Sequence, residues 1–330
     1  MNPLRPLRRE LLRVPEPAKT PERRIRLELV ARGGHLFAIH HSPATIHDPP
    51  FTVALDAWNG YLRPMKLSPV TSKKDIRLDD RHALLTGDVM SGKELEKATE
   101  KQVDRIGELQ KVLYADARYA VLIVLQGRDA SGKDGTIRKV FEAINPQGCS
   151  VASFKAPTDL ERHHDFLWRI HQQVPARGMI GIFNRSHYED ILVPRVHDLV
   201  PKRVWSARYQ QINDFEEMLT ANDVVILKFM LHVSRAEQKR RLEERLTDPE
   251  KNWKFRVGDL DDRAKWDDFT KAYRGILSHT STDWAPWFIV PADDKDVRDY
   301  LVSRTIADRL KKLKLRYPPA EKEIVGVKIE

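Results

Sequence analysis

Residues 119–136 read YAVLIVLQGRDASGKDGT, and this stretch decides the fold. A short apolar run rich in β-branched residues predicts a buried strand, and a helix-like pattern begins after the glycine-rich loop that follows it. The loop ends in Gly-Lys, as a phosphate-binding loop does in its required context of strand, loop and helix. Gly127 and Gly132 permit backbone conformations in which loop amides point at phosphate oxygens. The alternative is a glycine-rich turn that only resembles such a loop, and the flanking strand and helix argue against it.

The loop supplies candidates for both phosphate and metal binding. Lys133 provides a mobile positive charge for a transferring phosphoryl group. The usual pattern continues with Ser or Thr, whose hydroxyl binds Mg²⁺, but Asp134 stands there instead. The Asp129 carboxylate is therefore the best candidate for a magnesium ligand, with a turn-forming aspartate as the alternative. The other loop residues expected at the phosphates are Gly127, Arg128, Ala130, Ser131, Gly132, Asp134 and Gly135.

Composition narrows the classes of protein. The 330 residues include 57 Lys and Arg against 48 Asp and Glu, which gives a net charge of +9. Such a balance fits nucleic acid, an anionic membrane or a polyanionic substrate, or a surface that is merely basic. One cysteine, Cys149, excludes an internal disulfide framework. No apolar run approaches the roughly 20 residues that a membrane span needs, so we expect no membrane partner.

Strand-like and helix-like segments alternate from residue 91 to residue 313. Beyond the first strand, the pattern predicts strands near 150–154, 179–183, 223–229 and 287–290. A helix capped by Asp159 is expected to run to Val174. The alternation predicts an α/β fold, a P-loop kinase-like three-layer α/β/α sandwich with a central, mostly parallel sheet. Ligands of such folds bind beyond the carboxyl ends of the strands.

Polar residues follow the second and third of these strands. Lys155 comes after the second, and Asn184 and Arg185 come after the third. We therefore expect them at the phosphate site. Arg185 and Arg195 are suited to bidentate phosphate contacts, with a structural ion pair as the alternative for Arg195.

A second metal ligand is expected near the third strand. Asn184 stands where many P-loop enzymes carry an acid, and its amide binds Mg²⁺ more weakly than a carboxylate does. Glu189 and Asp190 lie close by in the chain and supply negative charge, unless they are ordinary surface residues. Asp129 and Asn184 are thus the expected metal ligands, with Glu189 as a further candidate.

Residues 234–282 predict a helical lid. Their charged helix places Arg241 and Arg245 one turn apart on one face, where they can close over phosphates and exclude water. The alternative is a solvated charged helix with Glu–Arg pairs. The basic residues assigned to the lid are Lys239, Arg240, Arg241, Arg245 and Lys254.

Residues 1–64 differ from the rest of the chain. They contain proline-rich and arginine-rich stretches without a sustained period, which predicts a mobile or loosely attached N-terminal extension. Residues 65–330 then form a single domain, and Met65 is a candidate for an alternative first residue. The N-terminal stretch lacks the apolar core of a secretion signal, so we expect a cytoplasmic protein.

Several motifs together resemble the family-2 polyphosphate kinases, over about residues 66–313. The version with SGKDG, and with Asn in FNRSHYED, is similar to the subgroup called class III. The matching segments, in chain order, are GRDASGKDGTI (127–137), NPQG (145–148), SFKAP (153–157), GIFNRSHYED (181–190), HVSRAEQKRRLEERL (232–246), WKF (253–255) and DDRAKWDDFTKAY (261–273).

The resemblance implies reversible phosphoryl transfer between inorganic polyphosphate and nucleotides. It implies ADP and ATP made from AMP and ADP, or the guanine equivalents. Mg²⁺, with Mn²⁺ as a substitute, would bridge the phosphates beside Asp129, and Lys133, Arg185 and the lid arginines would neutralise the polyphosphate. It also implies a homo-oligomer, either a dimer or a tetramer. Asn184 departs from the family's usual second acid.

Two competing functions remain open from the residues. An ATP-dependent nucleoside monophosphate kinase shares the loop and a basic lid, but usually keeps Ser or Thr where Asp134 stands. A non-catalytic, nucleic-acid-binding P-loop protein needs aromatics interleaved with basic residues. Trp205, Tyr209 and Phe215 are spaced like the buried face of a helix instead, so we expect no nucleic-acid partner.

Overall fold

A computed structural model describes residues 27–32, 35–40, 65–87, 89–321, 324 and 327. The chain divides into two compact units, Met1–Asn59 and Gly60–Glu330. In the first, strands β1 (Leu27–Arg32) and β2 (His35–His40) pair antiparallel. The sequence pattern did not predict these two strands. The remaining residues of the predicted mobile or loosely attached extension lie outside the described ones.

The second unit contains a five-stranded sheet whose paired strands all run parallel. Its spatial order is β4-β5-β3-β6-β7, so the strand that precedes the phosphate-binding loop lies in the centre. Every strand that the sequence predicted is present. The strands are β3 (Ala120–Gly127), β4 (Cys149–Ser153), β5 (Ile180–Asn184), β6 (Val224–His232) and β7 (Trp287–Pro291).

Helices cover both faces of this sheet. They are α1 (Gly92–Asp116), α2 (Lys133–Val140), α3 (Asp159–Arg162), α4 (Trp168–His171), α5 (Glu189–Val196), α6 (Lys202–Ala221), α7 (Arg235–Thr247), α8 (Gly258–Ala264), α9 (Trp266–Thr280) and α10 (Lys295–Lys312). Because successive side chains of a strand point to opposite faces, Leu122 and Val124 pack with α5, α6 and α9, while Val121 and Ile123 pack with α1, α2 and α10. This is the predicted three-layer sandwich. Among the described residues, no helix is long and apolar enough to span a bilayer.

The helix expected from Asp159 to Val174 is broken into two short pieces, α3 and α4. Thr158, not Asp159, caps α3, because its hydroxyl accepts from the amide of Glu161 at 3.2 Å. The Asp165 carboxylate accepts from the amide of Leu167 at 2.9 Å, a local bond that competes with helix continuation.

A buried ionic cluster lies beneath the loop that follows β5. Lys228 of β6 donates through Nζ to Glu216 Oε2 at 2.5 Å, to the Tyr188 hydroxyl at 2.9 Å and to the Thr280 carbonyl at 2.7 Å. The ring of His187 contacts the same glutamate at 3.2 Å. Lys228, Glu216, Tyr188 and His187 are all fully buried, so the cluster ties the loop to β6 and α6.

Tight left-handed turns occur at the amino ends of the central strands. Ala117 has φ 51° three residues before β3, Gly178 has φ 84° before β5, and Asp223 has φ 66° directly before β6. The amide of Ala117 donates to the Leu113 carbonyl and ends α1. The phosphate-binding loop lies at the opposite, carboxyl edge of the sheet.

Candidate active site

The loop between β3 and α2 has a backbone that only certain residues tolerate. Gly127 has φ 154°, and a Cβ atom there would lie 2.7 Å from the Leu231 carbonyl oxygen. Gly132 has φ 99° and begins the helix. Ala130, with φ 59°, occupies the left-handed region without being glycine. The sequence identified the two glycines, but nothing in it singled out the strained alanine.

Lys133 lies folded into this loop. Its Nζ donates to the Gly127 carbonyl at 2.9 Å and to the Arg128 carbonyl at 3.1 Å. Burial, together with the charge of Arg185, lowers the pKa of Lys133 to about 8. The ammonium therefore already occupies the loop interior, and a phosphate oxygen can replace the carbonyls as its partner.

Arg128 and Ser131 point away from the cavity that the loop borders. The guanidinium of Arg128 stacks 3.8 Å from the Trp266 ring centroid and donates to the Thr270 hydroxyl at 2.6 Å. Burial lowers its pKa to about 10. Ser131 is fully buried, and its hydroxyl has no hydrogen-bond partner among the described residues. Arg128 thus anchors the loop to α9. The sequence analysis had expected it to contact phosphate.

The two carboxylates of the loop each have a partner. Asp129 accepts from Arg245 of α7 at 2.5 Å. Burial raises the pKa of Asp129, but the charges of Lys133 and Arg245 outweigh burial and hold it below its ordinary value. Asp134 accepts from the side-chain amide of Asn184 at 2.8 Å. The predicted metal ligands Asp129 and Asn184 therefore lie at one cavity, and Asp134 joins them in place of the missing hydroxyl.

The two arginines predicted after β5 have different positions. Arg185, with φ 61°, borders the cavity and lies 3.5 Å from Glu189, whose charge raises the arginine's pKa. Arg195 does not reach the cavity. It donates to the Tyr209 hydroxyl at 3.0 Å and stacks on Trp205, so its contacts are with aromatic side chains and not with the acidic partner of the ion pair that we weighed as the alternative.

The lid helix divides its basic residues between two environments. Arg241 is buried and donates to the Ala130 carbonyl at 3.0 Å, while Arg245 pairs with Asp129. Lys239 and Arg240 are exposed, pair with glutamates of their own helix and do not border the cavity. Lys254 does border it. The last helix of the predicted lid, α9, packs in the main core. Of the remaining lid helices, α7 contacts the loop, and α8 borders the cavity through Asp259 and Asp262.

The cavity has a volume of about 1900 Å³ and is strongly basic. Its lining holds 16 Lys and Arg side chains against 11 Asp and Glu, so anions are favoured. Among the predicted residues, Gly135 and Lys155 also border it. Sequence reasoning missed many of the basic residues, which are scattered along the chain without a motif: Lys93, Arg138, Lys139, Arg162, Arg169, Arg208, Lys251, Lys295 and Arg298.

Apolar side chains also line the cavity. The segment after β4 contributes Phe154, Ala156 and Pro157, and the end of α5 contributes Val193 and Pro194. Arg169 donates to the Lys155 carbonyl at 2.8 Å and to Asp190 at 3.1 Å, which fixes this segment against α5. These apolar side chains give the cavity a surface that an aromatic or aliphatic group, such as a nucleoside, can contact.

Comparison with known proteins places this site in a family. The chain is 51% identical over 226 residues to the AMP/ADP-polyphosphate phosphotransferase of Meiothermus ruber, covering 68% of this chain and 85% of that protein. It is 48% identical over 229 residues to the ADP-polyphosphate phosphotransferase of Rhodopseudomonas palustris, covering 66% and 79%. The crystal structure of polyphosphate kinase 2 from Arthrobacter aurescens TC1 superimposes with a TM-score of 0.73 at 39% identity, over 79% of this chain and 96% of that one. Residues 89–318 match the family model of polyphosphate kinase 2, and the chain therefore belongs to the polyphosphate kinase 2 family.

Proposed function

We propose that this protein transfers a terminal phosphoryl group between inorganic polyphosphate and AMP or ADP, yielding ADP and ATP. The observation that carries the proposal is a P-loop lysine at the floor of a basic cavity of about 1900 Å³. Typical pockets for one small ligand have about 300–1,000 Å³, so this cavity has room for a nucleotide and a polyanion together. Two relatives are named for AMP/ADP and for ADP, and one from Mycobacterium tuberculosis is named for GDP. These names favour adenine nucleotides as the acceptors, with guanine nucleotides as the second choice.

The chain's own residues perform positioning and charge neutralisation. Phosphoryl transfer needs little covalent help, because the reacting oxygens must only be aligned and their charge stabilised. Lys133 exchanges its loop carbonyls for a phosphate oxygen, and Arg185 lies at the mouth of the same cavity. Arg245 and Asp129 form an ion pair beside the loop until substrate binds. The lid helices exclude water that would otherwise accept the phosphoryl group.

We propose Mg²⁺ as the cofactor, with Mn²⁺ as a substitute. Asp129, Asp134 and Asn184 offer only oxygen ligands, and Mg²⁺ is usually held by one or two carboxylates together with phosphates and water. The described residues contain no cluster of three or more His, Cys, Asp or Glu that could hold a metal, so phosphate and water would have to supply the remaining ligands. When bound, the ion neutralises charge on the phosphate oxygens.

The competing functions fit the site less well. A nucleoside monophosphate kinase is disfavoured because Asp134 contacts Asn184 where such kinases keep a hydroxyl. A nucleic-acid-binding surface is disfavoured because Tyr209 and Phe215 are buried in the core, and Trp205 packs against it. The proposed partners are thus polyphosphate and nucleotides.

We further propose that the protein is cytoplasmic and forms a homo-oligomer, either a dimer or a tetramer. Light scattering after gel filtration measures the oligomeric state.

The test is ATP formation followed by luciferase, with purified protein, Mg²⁺, long-chain polyphosphate and either ADP or AMP. ATP from both acceptors, in protein free of adenylate kinase, is the expected result. Lys133→Ala and Asp129→Asn should abolish it, whereas Lys239→Ala, an exposed lysine outside the cavity, should leave it unchanged. ADP formed from ATP and a monophosphate, without any use of polyphosphate, would indicate the nucleotide kinase instead.

A further inference from the structure

A guanidinium from the last helix lies against the phosphate-binding loop. Arg298, in the first turn of α10, is 2% exposed and borders the cavity. A Cβ atom built on Gly132 would collide with its Nη1 and lie 3.0 Å from its Cζ. A Cβ on Gly135 would lie 3.4 Å from its Nη2. The guanidinium therefore lies against the start of α2, and the amino end of a helix is where backbone amides favour a phosphate.

The neighbouring residue fixes the orientation of this guanidinium. Asp299 accepts from Nε of Arg298 at 2.8 Å and from its Nη2 at 2.9 Å. The same carboxylate accepts from the Thr136 hydroxyl of α2 at 3.0 Å. Within the described part of the chain, Nη1 makes no hydrogen bond. Arg298 is thus held rigidly on two nitrogens while the third, facing the loop, has free donors.

Arg241 gives a contrast at the same place. Its Nη1 is 3.7 Å from the Gly132 Cβ position, so two guanidiniums approach the loop together. All its nitrogens have partners: Glu237, and the carbonyls of Ala130, Ala292 and Asp293. Arg241 stabilises the loop backbone. Two buried like charges at such proximity repel each other, and an anion between them removes that repulsion.

We propose that Arg298 is a phosphate-binding residue of the active site, which donates from Nη1 to the phosphate held by the loop. Asp299 is its positioning residue, and the Thr136 bond keeps the pair in register with α2. The role deepens the proposed function, on which it rests, by adding a contact from α10 to the polyanion. Nothing in the P-loop motif indicates this contact, because Arg298 follows the loop by more than 160 residues.

The contact can be tested without turnover. Calorimetric titration of the full-length protein with inorganic tripolyphosphate, in EDTA and without nucleotide, measures anion binding alone. Arg298→Lys keeps the charge but loses the fork geometry, so affinity should fall roughly 10- to 100-fold, the range of one charge-assisted hydrogen bond. Arg309→Ala, an exposed arginine on the same helix, is the matched control and should bind as the wild type does.

Chemical rescue separates a direct contact from a structural one. In Arg298→Ala, millimolar guanidinium chloride should restore part of the lost ATP formation, whereas the same concentration of sodium chloride should not. Wild-type tripolyphosphate affinity in Arg298→Lys overturns the proposal. So does a loss of activity that guanidinium leaves unchanged while melting temperature falls in parallel. If the wild type binds tripolyphosphate through Arg298 but makes no ATP, the proposed function fails and the contact stands.

Discussion

The charge on Lys133 should limit activity on the alkaline side. Burial and the neighbouring Arg185 lower its pKa to about 8, so the ammonium loses its proton well below the usual lysine value of about 10.4. A group with that pKa is about 90% protonated at pH 7 and about 10% at pH 9. Since only the charged form binds phosphate, kcat/KM should fall roughly tenfold between these pH values.

The measurement is the pH profile of kcat/KM for polyphosphate from pH 6.5 to 9.5 at constant ionic strength, because this parameter reports groups of the free enzyme. The pKa of Asp129 lies below its ordinary value, so this carboxylate stays ionised over the whole range. Enzyme returned from pH 9.5 to pH 7 should recover full activity, which excludes unfolding as the cause.

Lys133→Arg is the matched variant, because a guanidinium keeps its charge throughout the range. Its profile should be flat between pH 7 and pH 9, whatever its absolute rate. Wild-type kcat/KM that stays constant to pH 9.5 would refute the reasoning from burial. An equal decline in Lys133→Arg would assign the titration to another group.

Three further predictions follow from contacts elsewhere in the structure. Lys228→Met leaves the Glu216 carboxylate buried without its cation, so the free energy of unfolding in urea should fall by about 3–5 kcal/mol, while Lys271→Met, at an exposed site, changes it little. Gly132→Ala meets both a left-handed backbone and the Arg298 guanidinium, so thermal unfolding should show a loss of about 1–3 kcal/mol, together with a lower rate of ATP formation. EDTA should abolish ATP formation and excess Mg²⁺ should restore it; activity that persists in EDTA would contradict the proposed cofactor.

Local patterns were sufficient for most of the fold. The strands appear within a few residues of their predicted bounds, because each is a short apolar run between polar or turn-forming residues. The prediction of a helix fails where a short-range hydrogen bond ends the helix early. Asp165 breaks the helix expected from Asp159 to Val174 through a bond to a nearby amide, and no periodicity records such a competition.

Only the site residues that belong to a sequence motif could be predicted. Lys133, Asp129 and Asn184 meet as expected, because the carboxyl ends of parallel strands share one edge of the sheet. The direction of an arginine side chain is not encoded in its spacing. Arg128 turns inward onto Trp266 and Arg195 onto Tyr209, since aromatic partners from distant helices compete with solvent and ligand for the guanidinium.

The left-handed turns at the amino ends of the strands can be changed to raise stability without changing the active site. Ala117 holds φ 51° at the end of α1, a position that glycine occupies without steric cost. Exchanging it for glycine relieves roughly 1 kcal/mol of backbone strain. The turn lies at the edge of the sheet opposite the P-loop, so the added stability should not change substrate binding. A more stable variant can therefore be engineered at the amino edge of the sheet, without any change to the phosphate-binding residues at the carboxyl edge.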